Sequence, residues 1–129
     1  MSDADSWRKR GNEYARLRTA EGYAQAIDCY GKGLKAIATP GGSRTRAQLL
    51  SCRAHVRLLG GGREAAEFAV EDCREALAEN AADATTYWRA AKASMVLELP
   101  GQAEEFCRQG LEAVGGNAEL KELLERVVG

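Results

Sequence analysis

The sequence predicts an all-α protein, and three observations carry that prediction. No segment alternates polar and apolar residues with the two-residue period of a half-buried strand. A skeleton of small and large residues recurs three times at helical spacing. Its second half always reads small, then aromatic or Cys, then small, spaced four and then three residues apart: Ala26, Tyr30, Gly33; Ala69, Cys73, Ala76; Ala103, Cys107, Gly110. Residues so spaced share one face of a helix, where small groups let a neighbouring helix approach closely. Self-similarity at this period marks stacked helix pairs that bury their faces against one another.

Taken in order, the first helix is expected over 3–18, where Trp7, Gly11 and Tyr14 stand four and three residues apart. The second, 22–38, carries the first small–aromatic–small triplet. The third, 44–59, repeats the first with Leu50, Ala54 and Arg57, and the fourth, 63–80, repeats the second. Tyr87, Ala91 and Ser94 define the fifth, 84–98, and the last triplet defines the sixth, 101–114. Gly115-Gly116 then stops the helix and Asn117 can cap the next. Over 117–128, Leu120, Leu123, Leu124 and Val127 fall on one face, as in a capping helix that covers the last pair.

Spacing also locates insertions. The small residue of the first helix lies 15 residues before the Ala of the second in pairs one and two, but 12 in pair three. The three extra residues are expected in the turns at 17–22 and 60–62. Six more fall between the first two pairs, around Thr39-Pro40-Gly41-Gly42-Ser43. Gly and Pro punctuate chains at such places, and longer turns cost little closure entropy.

Composition narrows the function. With 129 residues the chain is expected to form one domain over 1–129, and its formal net charge of −1 gives no bulk attraction to nucleic acid or membrane. No apolar run reaches the ~20 residues of a membrane span, and the start Met1-Ser2-Asp3-Ala4-Asp5 has no signal-peptide character. A cytoplasmic location is the expectation. Cys29, Cys52, Cys73 and Cys107 form no C-x-x-C pair, so packed, reduced thiols are expected and a zinc site is not. The lone histidine, His55, excludes a His-rich metal centre, and the glycine runs lack the Lys-Ser/Thr of a phosphate loop. No catalytic constellation, cofactor site or metal site emerges; the chain reads as non-enzymatic. Glu71-Asp72 and Glu104-Glu105 read as a solvated outer face.

The near-zero net charge hides an asymmetry. First helices carry eleven positive residues against four negative, the positive ones including Arg8, Lys9, Arg10, Arg16 and Arg18; the second helices of pairs two and three carry three against nine. Lys9, Arg18 and Arg44 are read as solvating helix edges. Helical periodicity groups Arg8, Asn12 and Arg16 on one stripe, Ser51 and His55 on another, and Thr85, Trp88, Arg89 and Lys92 on a third.

Trp7-x2-Arg10-Gly11-x2-Tyr14 followed by Ala26-x3-Tyr30 resembles the tetratricopeptide repeat (TPR), whose 34-residue unit reads W-x2-L-G-x2-Y and then A-x3-F. Arg10 replaces the usual Leu, and Arg57 takes an aromatic slot in the second copy. The resemblance implies a right-handed superhelical α-solenoid of three repeats, about 3–38, 44–80 and 84–114, with a cap at about 117–128. It further implies a protein–protein interaction module whose first helices line a concave groove, here basic. One branch of the family clamps the free carboxylate of a chaperone tail ending in Glu-Glu-Val-Asp. Arg8, Asn12 and Arg89 match that clamp, whereas Cys52 stands in an Asn slot and Thr85 in a Lys slot. His55, Trp88, Lys92 and Arg16 would contact upstream tail residues. The run Trp88–Ala93, with Cys107–Glu112 and Asn117–Lys121, is similar to co-chaperones of the tetratricopeptide repeat protein four type. The implied partner is the acidic C-terminal tail of a heat-shock chaperone, bound by a monomer. The alternative is an assembly scaffold with a degenerate clamp that binds a folded partner or a second copy of itself. RNA binding finds no motif.

Overall fold

The computed structural model describes residues 3–37 and 44–129, so the expected insertion at Thr39–Ser43 lies outside the described residues. Seven helices follow one another: α1 (Asp3–Ala15), α2 (Ala20–Lys35), α3 (Arg44–Gly60), α4 (Arg63–Glu79), α5 (Ala84–Val96), α6 (Pro100–Val114) and α7 (Ala118–Val128). There is no strand among the described residues.

The packing triplets form the seams. Ala26, Ala54, Ala69, Ala91 and Ala103 are fully buried, as are Cys73 and Cys107. A Cβ on Gly11 would run into the Tyr30 ring, and one on Gly110 would stand 2.8 Å from Leu120 Cδ1 and 2.9 Å from Tyr87 Cβ. Hydrogen therefore sits where α1 meets α2 and where α6 meets both α5 and the cap. All four cysteines are free thiols, three of them buried. Leu120 and Leu123 of α7 close the core of the last two pairs, with Leu124 and Val127 packed against it. The Asn117 side chain caps α7 by accepting from the Leu120 N–H at 2.9 Å.

The stack bends. Each helix touches its sequence neighbour, and α1 also touches α3, α3 touches α5, and α5 touches α7. No such contact joins α2 to α4 or α4 to α6 among the described residues. The odd-numbered helices thus crowd together on the inner side of the curve while the even-numbered ones splay outward.

Two expectations need correction. The three extra residues of pairs one and two do not lengthen the turns. Ala26 and Ala69 stand six residues into α2 and α4, whereas Ala103 stands three residues into α6, so the extra residues add nearly a turn to each second helix. Thr19 starts that added turn by accepting from the Gly22 N–H at 2.9 Å, and α1 stops at Ala15 instead of 18. Asp72, expected on a solvated face, is 3% exposed. It accepts from Arg53 at 3.0 and 2.7 Å, and Arg57 lies 3.6 Å away. Arg46 likewise meets Glu79 at 3.3 Å. Three arginines counted toward a basic inner face are therefore paired with Asp72 and Glu79 of α4; Arg57 stands in the slot that an aromatic would fill, its guanidinium 4.8 Å over Phe68 and in need of a counter-charge.

Candidate functional site

The inner face gathers side chains from α1, α3 and α5 around Cys52. Burial pushes the Cys52 thiol above its ordinary range, against the pull of Arg89 and Arg8, so it stays neutral. The same two arginines act on the Tyr30 hydroxyl, which burial pushes far above the phenol range. Arg8 and Arg89 therefore act on the same two buried groups, Cys52 and Tyr30, although 81 residues separate them.

Arg8, Asn12 and Arg89 each have a hydrogen-bond partner. Asp5, one turn earlier on α1, accepts from Arg8 Nε at 3.0 Å and Nη2 at 2.7 Å; that contact is the main reason its carboxyl sits below the usual range. The Tyr30 hydroxyl donates to Asn12 Oδ1 at 2.6 Å. With its oxygen so engaged, the Asn12 amide directs its two N–H donors away from Tyr30. Gly11 makes this possible, since only hydrogen there lets the Tyr30 ring reach under α1.

Arg89 is held by a relay that joins α3 to α5. Asp83, the N-cap of α5, accepts from the Thr85 N–H at 3.1 Å and from the Thr86 hydroxyl at 2.8 Å. Thr86 has given its one proton to that carboxylate, so in the 2.8 Å contact between the Thr86 and Ser51 hydroxyls Ser51 is the donor. The Ser51 oxygen then accepts from Arg89 Nη1 at 2.9 Å, and the Ser51 carbonyl accepts from the same nitrogen at 3.0 Å. Ser51 and Thr86 are buried, at 3% and 1% exposure. Buried hydroxyls that are fully satisfied rigidify the group at the end of the chain.

The remaining expected residues spread outward. His55 is half-buried, and burial together with Arg89 depresses its pKa, which leaves a neutral imidazole. Thr85 is exposed. Trp88 faces the cap and lines a cavity of about 220 Å³ with Glu119, Glu122, Leu123 and Arg126. Lys92 lies 5.4 Å over the Trp88 ring, and Arg16 is exposed beyond the end of α1. The structure thus brings Arg8, Asn12, His55 and Arg89 together and sets Trp88 and Lys92 apart on the α5–α7 side.

Sequence reasoning missed Tyr30, Thr86, Asp83 and Asp5 as parts of this site, and it grouped Ser51 with His55 without its bond to Arg89. Tyr30 was read only as a packing residue, and nothing local in the sequence shows that its hydroxyl reaches Asn12, 18 positions away. Asp83 was the exception in principle, as an acid before a helical run is an N-cap signal. Among the described residues no group of three or more His, Cys, Asp or Glu is placed to hold a metal ion. Among them, too, no helix is long and apolar enough to cross a membrane.

Seven stacked helices with the odd-numbered set inside, small residues at every seam and a cap at the end define a helical-repeat protein of the TPR class. Solved structures agree. The first TPR domain of Spaghetti (RPAP3), bound to an HSP90 peptide SRMEEVD, has a TM-score of 0.80 at 25% identity over 98% of this chain and 90% of that one. The Sgt2 TPR domain from Aspergillus fumigatus gives 0.79 at 26% identity, over 99% of this chain and 78% of that one. The Hsp90 co-chaperone Cns1 from Saccharomyces cerevisiae gives 0.80 at 25% identity, over 97% of this chain and 38% of that one. No family model matches the chain, and no curated protein matches it significantly in sequence. The chain is a tetratricopeptide repeat domain that resembles the TPR domains of co-chaperones. Identities of 25, 26 and 25% single out none of the three types.

Proposed function

We propose that this chain is a non-enzymatic adaptor of the co-chaperone kind, which takes the acidic C-terminal tail of a heat-shock chaperone on the inner face of α1, α3 and α5. The observation that supports it most is that Arg8 and Arg89 both act on Cys52 from either side of α3, with Asn12 and Arg89 pre-positioned by Tyr30 and Ser51. A carboxylate has about four lone-pair sites to satisfy once water is removed. Two guanidinium groups and an oriented amide supply donors of the right kind, and arginine's planar fork suits a carboxylate better than a point charge does. Arg8 exchanges one carboxylate for another when the tail displaces Asp5, whose ion pair with Arg8 is in contact with water and screened by it.

Cys52 and Thr85 are the weak points. A neutral thiol is a poor donor, and threonine carries no charge. Hydrogen bonds to a charged group contribute about 1.5–3 kcal/mol each. Two missing donors then weaken the tail by roughly a hundredfold or more relative to a complete clamp, at 1.4 kcal/mol per decade. Fluorescence anisotropy with a labelled peptide ending in Met-Glu-Glu-Val-Asp, beside its C-terminally amidated form, tests the reading. Saturable binding that amidation abolishes, and that Arg8→Ala or Arg89→Ala weakens more than tenfold, supports the clamp. Equal binding of both peptides by the wild-type chain removes it.

A second reading, an assembly scaffold, draws on Tyr14, Leu17, Leu59, Met95, Val96 and Leu99, large apolar residues exposed at the ends of the first helices. Sedimentation separates the two: a tail-binding domain stays monomeric across concentrations, while a self-associating scaffold gains mass.

A further inference from the structure

Beyond the clamp, Ala15, Arg16, Arg18, Tyr23, His55 and Leu59 line a cavity of about 440 Å³. It lies between the end of α1, the first turn of α2 and the C-terminal end of α3. Arg16 follows Asn12 by four residues and His55 follows Cys52 by three, so the cavity opens roughly one helical turn, about 5.4 Å, further along both helices. Its floor is the apolar surface of Ala15, Tyr23 and Leu59, and its rim is cationic.

Arg16 and Arg18 are exposed and make no ion pair among the described residues. The C-terminal end of α1 offers them only about half a negative charge, which leaves most of two positive charges uncompensated. Arg18 also sits in the left-handed region at φ 54, where Gly or Asn would stand with less strain. Sequence reading places Arg18 at a solvated edge, and it is exposed there, on the rim of the cavity that His55 also lines.

We infer that this cavity is a second anion subsite, which takes an oxyanion-bearing side chain of the bound tail, a carboxylate or a phosphoryl group, while the clamp holds the terminal carboxylate. The inference rests on the reading of this face as tail-binding, and it names what that tail must carry. Guanidinium groups pair with carboxylate and phosphate oxygens through two parallel N–H donors, and His55 adds a third group. The apolar floor keeps water from one side of the ion pair and so strengthens it.

The first arm of the test does not need the tail. Inorganic phosphate is titrated into the wild-type chain, Arg8→Ala and the double variant Arg16→Ala/Arg18→Ala, and the His55 ring resonances are followed by NMR. A saturable shift is expected in the first two and not in the double variant. No saturable shift in wild type, or a shift that Arg8→Ala abolishes and the double variant keeps, would overturn the subsite. The second arm compares tails ending in Met-Glu-Glu-Val-Asp and Met-Gln-Gln-Val-Asp, and a tail with phosphoserine replacing the glutamate beside valine. Wild type is expected to bind the glutamate tail about tenfold more tightly than the glutamine tail, and the double variant to bind them equally. Tighter binding of the phosphoserine tail than of the glutamate tail assigns the site to a phosphoryl group; equal or weaker binding assigns it to a carboxylate. Equal affinity of wild type for the glutamate and glutamine tails removes the subsite and leaves the clamp standing. Failure of every tail removes the clamp, and the phosphate arm then decides the subsite alone.

Discussion

Thr86→Val asks whether the relay behind Arg89 positions it. Valine keeps the shape of threonine and deletes only the hydroxyl, which is 2.8 Å from both Asp83 Oδ2 and Ser51 Oγ. The first loss is a hydrogen bond to a carboxylate, about 1.5–3 kcal/mol. The second is the acceptor for the Ser51 proton; a buried hydroxyl left without one costs about 1–3 kcal/mol, less if it turns toward another partner. Together they predict a stability loss of about 2–4 kcal/mol in urea denaturation, out of the 5–15 kcal/mol typical of a domain. The protein should therefore remain folded. The effect on tail binding comes through Arg89. An arginine released from its anchor has about 1.5–2 kcal/mol of rotamer entropy to lose again on binding. Recovering part of that predicts a three- to tenfold weaker tail in the anisotropy assay. In the Arg89→Ala background the Thr86→Val change should leave the residual affinity unaltered, which a merely structural role would not require. A stability change under about 0.5 kcal/mol would refute the proton order assigned to the relay. Full stability loss with wild-type tail affinity would refute its role in placing Arg89.

Three other predictions follow the same geometry. Tyr30→Phe removes the donor to Asn12 Oδ1 and frees the amide to rotate; a stability loss near 1 kcal/mol and a several-fold weaker tail are expected by denaturation and anisotropy. Asp72→Asn leaves Arg53 and Arg57 partly buried without a full counter-charge, and since both keep some contact with water the cost is about 2–3 kcal/mol, read as a lower denaturation midpoint with tail binding retained. Finally, burial and then Arg89 hold the His55 pKa below its ordinary 6.5. The neutral ring's contribution to stability is therefore fully present above pH 6.5 and is lost as pH falls through the folded-state value. An NMR titration should find the His55 midpoint below 6.5 and moved upward in Arg89→Ala; a midpoint that stays put would remove Arg89 as a cause.

Much of the fold was legible because its signals are local. The Ala–aromatic–Gly triplets, the Asn117 cap and the leucines of α7 each depend on helical period and on one or two residues of known preference. The insertions were counted correctly but placed in the turns. A count shows that residues are extra, and only the Thr19 cap and the packing of α2 decide that they become helix. Asp72 was misread for a related reason. Charge beside a packing triplet looks the same in sequence whether it faces water or a partner, and the partner here is an arginine standing in an aromatic slot across the seam.

By itself, then, the sequence determined the all-helical class and the three repeats with their cap, which rest on spacing along single helices, and the family resemblance singled out Arg8, Asn12 and Arg89 as clamp candidates. Only the tertiary structure decided which groups aim them. Tyr30 under Asn12, and Ser51 and Thr86 behind Arg89, are contacts between helices, set by how closely hydrogen at Gly11 and methyl groups at Ala54 and Ala91 let those helices approach. Distances between helices are not written in any one segment; they arise when the small residues of several meet.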